Sequence, residues 1–309
     1  KRIIKKLQIG FAVEQVQREK DFEIAKNEEL RAINTVIKEQ NHEILQSINY
    51  AKRLQSAMLP DNDRMDELLK DYCLMYRPKD IVSGDFYWIK EINENGNRWV
   101  YFCVADCTGH GVPGAMLSML GLSGLNRCMK EFGLRKPGEI LEQLSKLIAK
   151  ALKGQAKGIR DGMDIALCRY DLDTKELIFS GGNNAMYVIS EEEYESDKNL
   201  NTEESSSTLF EFKPDKRHVG FSEGYVPFTE TTLTMSKDSQ VVLFTDGFAD
   251  QFGGPKGKKF KYSSFKKLLL SNSDQSHSDK TSKMESTFDN WLGEHEQIDD
   301  ICVMGVRIR

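Results

Sequence analysis

Four short segments of the sequence each close an apolar run on an aspartate. They are Ser83-Gly84-Asp85-Phe86-Tyr87-Trp88, Val104-Ala105-Asp106-Cys107-Thr108-Gly109-His110-Gly111, Leu243-Phe244-Thr245-Asp246-Gly247-Phe248 and Gln297-Ile298-Asp299-Asp300-Ile301-Cys302-Val303. A single aspartate at a strand end is ordinarily a turn residue or a helix cap. Several of them, following β-rich runs that should share one sheet core, gather negative charge that repels itself unless a cation holds it. Oxygen ligands without Cys or His pairs favour Mg²⁺ or Mn²⁺. Two such ions about 4 Å apart would activate a bridging water and neutralise a phosphoryl group.

Other chemistries fit less well. The run Gly109-His110-Gly111-Val112-Pro113-Gly114-Ala115 has the glycines of a nucleotide loop but lacks the Walker Lys-Ser/Thr. Ser83 has no GxSxG elbow and no matched His-Asp pair. The six cysteines form no CxxC pair, which argues against zinc and for buried free thiols in a reducing, cytoplasmic setting. The formal net charge of -5 argues against nucleic-acid binding through a basic face.

The elements that position these segments are read from periodicity. From Tyr72 onward short β-rich runs follow one another: Tyr72–Tyr76, Phe86–Ile92, Trp99–Ala105, Ile165–Tyr170, Leu177–Ser180, Met186–Ile189, Leu209–Phe212, Thr229–Met235, Val241–Thr245 and Ile301–Ile308. Asn95-Gly96 marks a hairpin. Helical patterns come in pairs, Gly114–Lys130 with Gly138–Leu152, and Tyr262–Leu270 with Asp279–Leu292. Successive strands with paired helices predict an α+β layered sandwich rather than a βαβ fold. The polar runs Glu191–Ser207 and Ser271–Ser278 read as loops, the first of them mobile.

The order SGDFYW, VADCTGHGVPGA, FTDGFADQFGG and QIDDICVMGV, with Gly181-Gly182-Asn183-Asn184 between the second and third, resembles the PPM-type metal-dependent protein phosphatases, and within them the bacterial SpoIIE-type branch. The resemblance covers roughly residues 48–309, including Tyr50–Pro60, which looks like the helix leading into these domains. It implies a four-layer α-β-β-α sandwich with two Mn²⁺ or Mg²⁺ ions between the sheets. It implies that Asp106 bridges both ions, that Asp85 binds one directly or through water, that the Cys107 backbone carbonyl is a ligand, and that Asp246 and Asp299 hold the other ion. Asp300 ranks below Asp299. Asp161 and Asp164 lie where some relatives hold an extra metal, the alternative being a turn or supporting role. The histidine that eukaryotic relatives carry two residues after the bridging aspartate is replaced by Thr108, and their phosphate-binding arginine has no evident match. Arg77, Lys79 and His110 are the candidates for contact with substrate. The implied reaction is hydrolysis of phosphoserine or phosphothreonine on a regulatory partner, of the anti-sigma-factor antagonist type. A catalytically weak signalling module is the alternative, which loss of a metal aspartate would mark; the four main carboxylates are present.

The first stretch, to Met58, has no proline and one glycine, Gly10. Leu30, Ile37, Asn41, Ile44, Ile48, Ala51, Gln55 and Met58 fit a heptad seam with polar breaks, and Pro60 ends the helix. The expectation is a coiled-coil regulatory helix over residues 1–59 that pairs with a second copy, ahead of a phosphatase domain over 60–309. The start at Lys1-Arg2 leaves room for an upstream sensor or membrane domain. No apolar run reaches the 18 residues that would suggest a membrane span.

Overall fold

The computed structural model describes residues 2–152, 161–202, 205–220 and 226–308. The chain divides into two compact units, Lys1–Tyr50 and Ala51–Arg309. The first is helical over its described residues, part of α1 (Arg2–Met58), and exposes Leu30, Ile37 and Ile44. Among the described residues no helix is long and apolar enough to cross a membrane.

In the second unit the end of α1 leads to α2 (Asn62–Leu69), which the sequence pattern had not suggested; Asp61 caps it by accepting from the Arg64 amide at 2.8 Å. Then come β1 (Tyr72–Arg77), the hairpin β2 (Phe86–Glu94) and β3 (Asn97–Cys107), α3 (Gly111–Lys130) and α4 (Pro137–Ala151). Strands β4 (Met163–Asp171), β5 (Glu176–Gly182), β6 (Met186–Ser190), β7 (Lys198–Leu200), β8 (Thr208–Phe212), β9 (Thr231–Thr234) and β10 (Gln240–Phe244) follow. The chain closes with α5 (Gly247–Asp250), β11 (Phe252–Gly253), β12 (Lys258–Lys259), α6 (Tyr262–Ser271), α7 (His277–Leu292) and β13 (Ile301–Arg307).

Two large antiparallel sheets result, one in the order β1-β13-β10-β6-β8-β7 and one in the order β2-β3-β4-β5-β9, with β11 and β12 forming a separate two-stranded hairpin. Their inner strands are buried on both faces, and the pleat sorts the side chains by parity. Val100, Phe102 and Val104 of β3 enter the core between the sheets with Val241, Leu243, Cys302 and Met304. Tyr101, Cys103 and Ala105 face α3 and α4. Val242, Phe244, Ile301 and Val303 face α6 and α7, where Phe248, Phe265 and Phe288 fill the layer. This is the expected α-β-β-α sandwich, with helices covering both outer faces.

The run Glu191–Ser207 departs from its reading as a mobile loop. Residues 203 and 204 lie outside the described residues. Within the rest, β7 adds an edge strand, with Lys198 opposite Glu211 and Leu200 opposite Leu209. Tyr194 packs edge-on against Phe210 with ring centroids 5.5 Å apart, and its hydroxyl accepts from the Ser236 amide at 2.8 Å. One aromatic anchor with a satisfied hydroxyl ties down a segment whose average composition is that of a solvated loop.

Candidate active site

The four aspartate segments converge at one end of the sandwich because each sits where a strand leaves the inter-sheet core or is about to enter it. Asp106 is the penultimate residue of β3, and on the inward parity of Val100, Phe102 and Val104. Its register partner on β4 is Asp164. Asp85 immediately precedes β2, Asp246 follows β10 as the cap of α5, and Asp299-Asp300 precede β13. Both sheets therefore contribute carboxylates to one place.

Close backbone packing makes this possible. A Cβ on Gly84 would lie 2.5 Å from the Gly109 carbonyl oxygen and 3.2 Å from that of Cys107. The first is inside the van der Waals limit, so only glycine lets the Asp85 loop approach the β3 turn. The Cys107 carbonyl named as a ligand candidate thus borders the site, while its side chain is buried against the helices.

Each aspartate is held differently. Asp85 is 1% exposed and accepts from the Thr245 hydroxyl at 2.7 Å, a hydrogen bond from one sheet to the other. Asp300 is 2% exposed and accepts from the backbone amides of Lys79 and Gly84, both at 2.7 Å, so it clasps both ends of the loop that carries Asp85. Asp299 is half-buried and accepts from the Asp300 amide at 2.9 Å. Asp164 receives Asn183 Nδ2 at 2.8 Å and pairs with His218 Nδ1. Asp161 is half-buried just before β4, and the adjoining Gly162 carbonyl accepts from the Thr108 amide at 2.9 Å. The carboxylates of Asp106 and Asp246 accept no hydrogen bond among the described residues.

The electrostatics follow. Burial pushes Asp85 well above the usual carboxylate range, the Asp106 charge adds to this, and the Thr245 hydroxyl opposes it. Burial raises Asp106 as well, reinforced by Asp246 and Asp299. Asp246 is pushed up to about 6 by burial and then by Asp299 and Asp250. Burial also raises Asp300, against the two amides that favour its charged form. Asp164 is raised by burial against the help of Asn183 and His218. Among the described residues no group of three or more His, Cys, Asp or Glu side chains already stands in ligating geometry. The charges are near enough to repel and not drawn together. An all-oxygen donor set with two carboxylates lacking hydrogen-bond partners nonetheless fits a hard divalent cation.

At the exposed rim, Lys79 Nζ donates to His110 Nε2 at 3.1 Å, and His110 Nδ1 donates to Asp80 at 2.7 Å. Arg77 does not join them. Its guanidinium pairs with Asp289 and lies over the Phe288 ring, 5.0 Å from the centroid, so it is committed to α7.

The seam reading of the N-terminal helix is corrected at Gln55. This residue is 4% exposed inside the second unit, not presented to a partner helix. Its amide nitrogen donates to the Ser83 carbonyl at 2.6 Å and to the Ser118 hydroxyl at 2.9 Å, and its oxygen accepts from the Ser83 amide at 3.1 Å. One side chain thereby joins α1, α3 and the loop two residues before Asp85. A glutamine at a heptad position reads in sequence as a polar break; only tertiary contact distinguishes a latch. Thr245 lay in view within its motif, whereas His218 and Asn183 stand outside the four aspartate segments.

A four-layer sandwich whose two sheets meet in a cluster of aspartates has the architecture of a PPM-type phosphatase. A sequence model described as stage II sporulation protein E (SpoIIE) matches residues 96–309. Comparison with curated protein sequences finds no match. Among solved structures, the SiaA-PP2C domain of Pseudomonas aeruginosa superposes with a TM-score of 0.72 at 26% identity, over 87% of this chain and 98% of that one. The PP2C phosphatase domain of SpoIIE from Bacillus subtilis, with a fragment of its regulatory domain, gives 0.56 at 12% identity over 77% of this chain and 62% of that one. The RsbU and RsbW domains of a Mycobacterium tuberculosis protein give 0.55 at 16% identity over 77% and 59%. The last two show likeness of fold. The chain belongs to the SpoIIE family of PPM-type serine/threonine protein phosphatases and is a hydrolase.

Two outcomes are expected. Gln55→Leu removes three hydrogen bonds to the Asp85 loop and α3 and leaves buried polar groups unpaired. Turnover should fall about ten- to a hundredfold, since small displacements of a positioned group cost rates of that order; steady-state kinetics on a small phosphate ester reads it. The second concerns pH. Asp246 titrates near 6 in the folded chain, above the value of about 4 for an unfolded aspartate. In cation-free protein its protonated form thus stabilises the fold below pH about 4, and that contribution is lost as pH rises through about 6. Melting curves in chelator should show Asp246→Asn gaining on the parent protein over this window.

Proposed function

We propose that the chain is a divalent-cation-dependent phosphatase acting on phosphoserine or phosphothreonine of a regulatory partner protein, under the control of its N-terminal helix. The observation that carries this is the set of aspartates at the end of the sandwich, raised by burial and by one another. In this reading Asp85, Asp106, Asp246, Asp299 and the Cys107 carbonyl oxygen would hold two Mn²⁺ or Mg²⁺ ions. Such ions would supply an acidified water for attack on phosphorus and neutralise the phosphoryl oxygens.

The residues around them have definite tasks. Thr245 fixes the Asp85 carboxylate from the opposite sheet, and Asp300, engaged by two amides, keeps the Asp85 loop closed. Asp164, occupied by Asn183 and His218, supports the Asp106 edge of the site. Lys79 and His110 stand at the exposed rim, where the substrate phosphate would enter. Buried free thiols fit a reducing, cytoplasmic setting.

Hydrolysis of p-nitrophenyl phosphate should require Mn²⁺ or Mg²⁺, and Asp106→Asn or Asp246→Asn should lower turnover at least about a thousandfold with the melting transition retained. Full turnover in excess chelator overturns the reading. The helix part has its own test. The exposed Leu30, Ile37 and Ile44 support pairing with a second copy. Sedimentation at micromolar concentration should show a dimer that dissociates when residues 1–45 are removed; a monomeric full chain excludes the coiled coil.

A further inference from the structure

Beside the aspartates the charge reverses. After α5 the chain makes the hairpin β11–β12, with Phe252 opposite Lys259, and within six residues it carries Lys256, Lys258, Lys259 and Lys261, all exposed. The protein as a whole is acidic, with a formal charge of -5, so this is a local concentration against the average.

The hairpin is built to hold its shape. The Gly254 amide donates to the Trp291 carbonyl at 2.7 Å, and Trp291 Nε1 donates to the Gln251 carbonyl at 3.0 Å. Phe260 stacks edge-on against the same indole at 5.4 Å. A Cβ on Gly254 would lie 2.6 Å from the indole ring, so the backbone turns flush against it. The base is tied to the site: the Lys261 amide donates to the Ala249 carbonyl at 2.7 Å, one turn from Asp246 at the start of α5.

Among the described residues Lys259 is paired with Asp250 at 2.7 Å, a contact that braces the hairpin on α5. The ammonium groups of Lys256, Lys258 and Lys261 have no partner among the described residues. Phe252 and Tyr262, which flank the four lysines in sequence, are 41% and 40% exposed. A phosphoprotein approaching this end of the molecule meets repelling carboxylates at the centre and attracting ammonium groups at the side. Unpaired charges within a Debye length, about 10 Å at 0.1 M salt, act on the residues next to the phosphate and not only on the phosphate itself.

We propose that the β11–β12 hairpin is a docking surface for acidic residues flanking the phosphoserine or phosphothreonine of the protein substrate, contacted by Lys256, Lys258 and Lys261. The inference rests on the phosphatase reading of the adjoining site. It concerns which sequence around the phosphate is accepted, and it assigns these lysines no part in the chemical step.

The test uses the full chain, p-nitrophenyl phosphate and two phosphoserine peptides of equal length, one flanked by Glu and one by Gln. The parent protein should favour the Glu peptide about tenfold in kcat/KM at low ionic strength, and the preference should shrink as salt is added. The triple variant Lys256→Ser, Lys258→Ser, Lys261→Ser should lose the preference and hydrolyse p-nitrophenyl phosphate as before. Replacing the same three lysines with Arg should keep it. Equal, non-zero rates on the two peptides in the parent protein overturn the proposal, as does a variant that slows all three substrates alike. Lysine-dependent binding to phosphatidylserine vesicles without any peptide preference would assign the hairpin to a membrane and overturn it too. Fluorescence anisotropy of both peptides in chelator separates the two levels of inference. Lysine-dependent preference in binding without hydrolysis in Mn²⁺ would refute the catalytic reading and leave docking standing.

Discussion

The site depends on the repulsion of carboxylates gathered in a place where water is scarce. Asp85, Asp106 and Asp246 each lose hydration, and each faces neighbouring carboxylates: Asp106 and Asp300 beside Asp85, Asp246 and Asp299 beside Asp106, and Asp299 and Asp250 beside Asp246. Left alone, such a group relaxes by protonation or by moving apart. The surrounding structure opposes the second escape. A hydroxyl from the far sheet holds Asp85, and two backbone amides hold Asp300 at the loop ends. The strain is thereby kept in the protonation equilibrium, where a divalent cation can relieve it.

The sandwich suits this arrangement because its two sheets are independent platforms. Asp85 and Asp106 ride on the β2–β3 hairpin, while Asp246, Asp299 and Asp300 ride on β10 and β13. Any change in the spacing of the sheets alters the distances within the cluster, and the Thr245–Asp85 and Gly84–Asp300 hydrogen bonds are direct links that resist such a change. Gln55 adds a third platform, the end of α1, to the same loop. A side-chain amide is well suited here, since it donates and accepts at once, which neither an ionised Glu nor a Leu could do.

The sequence made the sheets and the aspartates legible because their signals are local. Strands buried on both faces read as short apolar runs, and an aspartate ending such a run marks where the chain leaves the core. What escaped was decided by long-range contact. Gln55 sits at a heptad spacing and its partners lie 28 and 63 residues away. Strand β7 gains its status from pairing with β8 across a polar segment whose composition suggested no structure. Arg77 reads as a free cation beside the SGD motif, but Asp289, which occupies it, is 212 residues distant. His218 has no motif around it, and only the fold brings it to Asp164.

The six cysteines, all reduced and all buried, are distributed through the layers. Cys128 lies among the helices covering one sheet, Cys103 and Cys107 on that sheet's helix-facing side, Cys168 and Cys302 between the sheets, and Cys73 on the other outer face. Burial raises every one of these thiols, so in the closed molecule none offers a thiolate to an electrophile. An alkylating reagent can therefore enter a given layer only when that layer opens. The thiols amount to a set of timers written into the fold, and the sequence in which they acquire label would give the order in which the layers separate.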